Sequence, residues 1–80
     1  MSRTLVKTEQ VAVGTQSVSV RYFALRTPRG AKRYSAEILL APGDRVILDD
    51  DSVVKLEAKT ARLVPATLYS RTLAGRAHAA

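Results

Sequence analysis

Five cations, Arg21, Arg26, Arg29, Lys32 and Arg33, fall between Gln10 and Ala36 with no acid among them. Guanidinium and ammonium groups clustered in this way bond phosphate oxygens, so the chemistry they suggest is recognition of a polyanion rather than catalysis. Tyr22, Phe23 and Tyr34 lie in the same stretch. An exposed ring among them would stack on an unpaired base. A second basic set, Lys55, Lys59 and Arg62, has the spacing to share one side of a helix and extend the positive surface.

Other chemistry finds little support. His78 is the sole histidine, there is no cysteine, and no serine or aspartate has a base at motif spacing, so the chain is expected not to be an enzyme. No dinucleotide-, nucleotide- or zinc-binding spacing occurs, and no cofactor is expected. Asp49-Asp50-Asp51, with Asp44 nearby, offers hard oxygen ligands, but neighbouring side chains point in different directions and helix capping accounts for them better than a metal.

The elements that position the cations follow from alternation. Val18, Val20, Tyr22 and Ala24 share one side of a strand over 17–26, and Tyr34, Ala36, Ile38 and Leu40 one side of another over 33–40. Between them, Pro28 presets a turn and Gly30 supplies a left-handed residue closing a three-residue loop, with Thr27 opposite Ala31. That turn implies the pairs Ala24–Tyr34, Tyr22–Ala36, Val20–Ile38 and Val18–Leu40, with Arg21 across from Glu37 on the other face. Arg26 then meets Lys32 at a strongly positive tip, with Arg29 at the apex. By this register Tyr22 and Tyr34 belong to the core, leaving Phe23 as the ring expected in the open.

Thr4 to Val13 reads as a preceding strand whose outer half overhangs the sheet, because Lys7 and Glu9 fall on the buried side. Arg45 to Leu48 reads as a short fourth strand after the Ala41-Pro42-Gly43-Asp44 turn. Val53 to Val64 alternates like a strand but is rich in helix formers; a helix capped by Asp50, Asp51 and Ser52 and stopped by Pro65 is the better reading, with Ala66 to Ala74 a short second helix or an arm. The expected architecture is α+β, a meander of three or four antiparallel strands with a C-terminal helix; the alternative is a small SH3- or OB-like barrel.

Eighty residues with 46% apolar and 25% charged content fit one small folded domain, expected over 1–75 with a frayed tail over 76–80. The absence of cysteine, of an apolar leader in Met1 to Glu9 and of any long apolar run suggests a cytoplasmic setting without membrane attachment. A formal charge of +6 adds weight to a polyanionic partner.

Arg29-Gly-Ala-Lys-Arg33 and Asp50-Asp-Ser52 also carry the RxxxR and DxS spacings that resemble those of PilZ domains, which would imply a β-barrel and cyclic dinucleotide binding. The second motif departs from that family at Lys55, where it ends in glycine. The reading of the residues is therefore a nucleic-acid-binding protein acting through Arg26, Arg29, Lys32 and Arg33, with Arg21 and Lys55 contributing from outside the tip. The rival is a protein-interaction module, either a homodimer or an accessory subunit, since so thin a core has sheet edges that another chain could extend.

Overall fold

The computed structural model describes residues 3–79, with side-chain environments for residues 3–74. Four strands, β1 (Thr4–Val13), β2 (Gln16–Arg26), β3 (Lys32–Ala41) and β4 (Asp44–Asp50), form an antiparallel meander in the order β1-β2-β3-β4, and one helix, α1 (Val53–Ala79), follows. The fold is α+β, and the sheet is open, not closed into a barrel.

The central hairpin has the register that its turn chemistry implies: Ala24 pairs with Tyr34, Tyr22 with Ala36, Val20 with Ile38 and Arg21 with Glu37. Thr27 N–H donates to Ala31 O at 2.9 Å and Gly30 N–H to Thr27 O at 2.8 Å. Gly30 takes φ +85°, a conformation that disfavours any side chain, and so closes the loop.

β1 does not overhang. It pairs with β2 as far as Thr4–Ala24 through a bulge between Leu5 and Lys7. Lys7 and Glu9 are tolerated on the helix side because α1 brings a partner: the Lys7 ammonium lies 3.0 Å from Glu57 and 3.7 Å from Glu9. Glu57 thereby holds Lys7 above its ordinary pKa.

The helix packs on one sheet face through Leu56, Thr60, Val64 and Leu68, four residues apart, against Val18, Val20, Tyr22, Ala36 and Ile38. Ser52 caps it, its Oγ accepting from Lys55 N–H at 3.4 Å. Asp50 is drawn away from capping to Lys59, 2.8 Å distant, which holds its carboxyl well below the usual carboxylate range. At the other end Arg71 bonds Asp44 at 2.9 Å. Residues 59 to 71 of a helix span about 18 Å and residues 44 to 50 of a strand about 20 Å, so these two ion pairs lay α1 antiparallel along β4.

Pro65 does not stop the helix, and no second helix or arm begins at Ala66; α1 is continuous. Proline deprives the Ala61 carbonyl of its usual donor. Both residues are exposed, so water can serve that carbonyl, and the stripe through Val64 and Leu68 continues to bury apolar surface beyond the proline. The backbone of the expected tail, 76–79, continues α1, while Ala80 and the side chains beyond residue 74 lie outside the described residues. Among the described residues, no helix is long and apolar enough to cross a membrane.

Among the described residues one polar atom in the core is left over. The Tyr22 hydroxyl is buried and forms no hydrogen bond with them, since the neighbouring Thr60 hydroxyl donates instead to Leu56 O at 2.9 Å. Burial accordingly pushes the Tyr22 phenol above its ordinary pKa. A Tyr22→Phe variant should match the wild type in stability or exceed it by up to about 1 kcal/mol, because an unpaired buried hydroxyl contributes nothing to offset its desolvation. The urea midpoint measures this, and a clear loss of stability would mean that the hydroxyl is bonded.

Candidate nucleic-acid interface

The helix covers one face of the sheet and leaves the other open, and the charges are unevenly shared among the helix side, the open face and the hairpin tip, where Arg26 and Lys32 stand on the face of Ala24 and Tyr34. The helix side carries Lys7, Lys55, Lys59, Arg62 and Arg71 together with as many acids, Glu9, Asp44, Asp50, Asp51 and Glu57. The open face carries Arg3, Arg21, Arg33 and Arg45 but only Glu37 and Asp49. The hairpin tip adds Arg26, Arg29 and Lys32 with no acid. The positive excess of the described side chains therefore lies wholly on the open face and the tip.

At the tip, Arg26, Arg29 and Lys32 are exposed and none has a carboxylate partner among the described residues. Arg26 Nη1 donates to Gly30 O at 3.1 Å, which steadies the loop without consuming its charge. Ala31 N–H donates to Thr27 Oγ1 at 3.1 Å and rigidifies the same turn. Arg26 and Lys32 stand directly opposite each other, a placement that costs stability and that an anion would relieve.

On the open face three arginines converge on one carboxylate. Glu37 accepts from Arg21 at 2.6 Å, from Arg45 at 3.3 Å and from Arg3 at 3.3 Å, and its side chain is only 4% exposed beneath them. The Arg21 bond is the main cause that holds the Glu37 carboxyl below its ordinary value of 4.5, and it outweighs the upward push of burial. One carboxylate cannot satisfy three guanidiniums, so each keeps donors free for an anion. An open depression of about 390 Å³ lies among Thr8, Ser19, Arg21, Leu39 and Arg45 around the same glutamate.

Of the residues read from the sequence, Arg26, Arg29 and Lys32 come together at the tip. Arg21 and Arg33 lie on the adjoining open face, where Arg33 bonds Asp49 at 2.6 Å. Lys55 stands apart on the first turn of α1, 3.7 Å from Asp51. Lys59 is likewise engaged with Asp50, whereas Arg62 is exposed and has no ion pair among the described residues, so of the second basic set only Arg62 adds a free cation to the surface.

Arg3 and Arg45 join the open face without having been expected there. Neither was accessible from turn chemistry: the Ala41–Asp44 pair alone would set Arg45 opposite Leu40, and the irregularity between Leu39 and Ala41 sets it opposite Leu39 and beside Glu37 instead. For Arg3 the bulge between Leu5 and Lys7 shifts the register in the same way.

The aromatic expectation fails for Phe23 and holds for Tyr22. Phe23, expected in the open, is 7% exposed, because the Arg3 guanidinium lies over its ring at 3.9 Å and Arg21 approaches at 5.9 Å. Tyr22 is buried as expected, and Tyr34 is only half-buried, near the tip.

Glu37→Gln is expected to lower stability by about 1–2 kcal/mol, the lower part of the range for charge-assisted bonds because the arginines are half exposed to water. The pH dependence follows from the lowered carboxyl. As pH falls below about 5, the unfolded chain binds the proton before the folded one does, so stability is lost on the acid side. The variant should show a flatter acid limb in denaturation curves taken across pH 3–7; an unchanged limb would assign the acid sensitivity to Asp50 instead.

No protein-family model matches the chain, no curated protein is similar to it in sequence, and no solved structure matches it. What the fold and surface define is an α+β scaffold, a four-stranded sheet half covered by one helix, with the surplus positive charge of its described side chains on the open face and the hairpin tip.

Proposed function

We propose that this chain is a non-catalytic nucleic-acid-binding protein that engages phosphates along the open sheet face and the hairpin tip. The observation that carries this reading is the division of charge. A protein that is basic only for solubility has no reason to match the cations around its helix with as many acids and concentrate its surplus on a hairpin tip and the neighbouring open face, and a localised surplus is the electrostatic footprint of a polyanion site. Phosphate contacts of this kind give affinity with little choice of sequence.

Fluorescence anisotropy with labelled nucleic acid over a series of salt concentrations tests the reading. With a surplus of about five cations on the open face and the tip together, log K should fall with log salt at a slope of roughly −3.5 to −4.5. Absence of binding at low salt would refute it.

A second reading, an interaction module or homodimer, is favoured by exposed apolar residues: Leu5, Leu39 and Ile47 in the sheet, and Val54, Tyr69 and Leu73 on α1. An association built on those residues would respond little to salt.

A further inference from the structure

The hairpin outruns its neighbours: β1 pairs with β2 only up to Ala24, and β4 with β3 only up to Tyr34. On the helix side this leaves an open recess of about 740 Å³, lined by Ala24, Leu25, Pro28 and Tyr34, with Arg26 and Lys32 at its edge. Its size falls within the range of about 300–1,000 Å³ that small organic ligands occupy. A mainly apolar lining that includes the half-buried Tyr34, with the hydroxyls of Thr4 and Thr27 nearby and bordered by cations that have no acid partner among the described residues, is the complement of a flat aromatic group carrying phosphates. The nearest acid is already engaged: Asp50, opposite Tyr34, bonds Lys59 at 2.8 Å and accepts from Asp51 N–H at 2.7 Å.

We infer that this recess receives an unpaired base of a single-stranded nucleic acid, with the flanking phosphates on Arg26, Arg29 and Lys32. The inference rests on the nucleic-acid reading and adds to it a substrate class. In a duplex the bases are stacked and paired, so entry into such a recess requires a base already free of a partner. The tip would then be selective for single strands, while the arginines of the open face hold backbone without distinction.

The test separates base from backbone by changing the ligand. Wild-type protein is titrated with a short oligothymidylate, with a strand of the same length and phosphate count built from abasic residues, and with a duplex. Oligothymidylate should bind about 5- to 160-fold more tightly than the abasic strand, the range for stacking of a single base. Ala24→Leu, which fills the recess with an apolar side chain, should abolish that advantage while leaving abasic binding unchanged, its fold checked by circular dichroism.

Equal, salt-sensitive binding of the base-bearing and abasic strands would overturn the recess and leave the polyanion reading standing. Persistence of the base advantage in folded Ala24→Leu would also overturn it, placing the base elsewhere. No binding of any strand at low salt would overturn both.

Discussion

An Arg29→Glu, Lys32→Glu double variant is expected to bind nucleic acid at least about a hundredfold more weakly than the wild type at about 0.1 M salt, and with a much flatter salt dependence. Each phosphate contact multiplies affinity by about 5–8 at 0.1 M salt relative to 1 M, so two lost contacts account for about 25- to 60-fold, and two new acids repelling the backbone supply the rest. The slope of log K against log salt should drop to roughly −1, because the two reversals turn the tip from three positive charges to one net negative charge and leave a surplus of about one.

The fold gives this variant a built-in control. Arg29 and Lys32 make no side-chain bonds that the turn needs, since the loop is closed by Thr27, Gly30 and Ala31. The Lys32→Glu change sets an opposite charge across from Arg26 in place of a like one, so stability should hold or rise by a few tenths of a kcal/mol. Weaker binding with undiminished stability in urea would mark the tip as a contact element. Unchanged binding would remove the tip from the interface, and the open-face arginines would have to carry it alone.

The second large effect is on stability. Leu56→Ala should destabilise the protein by about 2–5 kcal/mol, the range for truncating a fully buried leucine. Leu56 is 0% exposed and is the first residue of the stripe by which α1 meets the sheet. A chain of this length has a total stability of about 4–12 kcal/mol, so the loss would be a large fraction of the whole. Val54→Ala, two residues earlier on the same helix but at a position 76% exposed, should change stability by no more than about 0.5 kcal/mol. Urea denaturation followed by far-ultraviolet circular dichroism would report both. Equal midpoints for the two variants would mean that α1 is not held by that stripe.

Several features were legible before any coordinates because they are set by neighbours in sequence. The hairpin register follows from Pro28, Gly30 and strict alternation on both sides, and it carried with it the Arg21–Glu37 pair and the burial of Tyr22. The choice of helix over strand for 53–64 rested on helix formers behind a serine cap, both local properties. Other features depended on groups distant along the chain. Proline at 65 signals a stop by itself, yet the helix continues because its far half still has sheet to cover, and the freed carbonyl faces water. Lys7 and Glu9 argued against a fully paired β1 until Glu57, far along the chain, was placed beside Lys7.

The same distinction runs through the candidate site. Sequence by itself determined that a basic, acid-free segment would be folded into a hairpin with Arg26, Arg29 and Lys32 at its tip, because turn chemistry and period-two alternation act over a few residues. Only the tertiary structure decided which cations remain uncompensated. Helix packing sets the helix-side cations among as many acids, while Arg3, Arg21 and Arg45 are left sharing one carboxylate across three strands. It also decided that Phe23 is covered and Tyr34 is partly open, since a ring's exposure depends on what crosses over it, and here that is an arginine from the far end of the neighbouring strand.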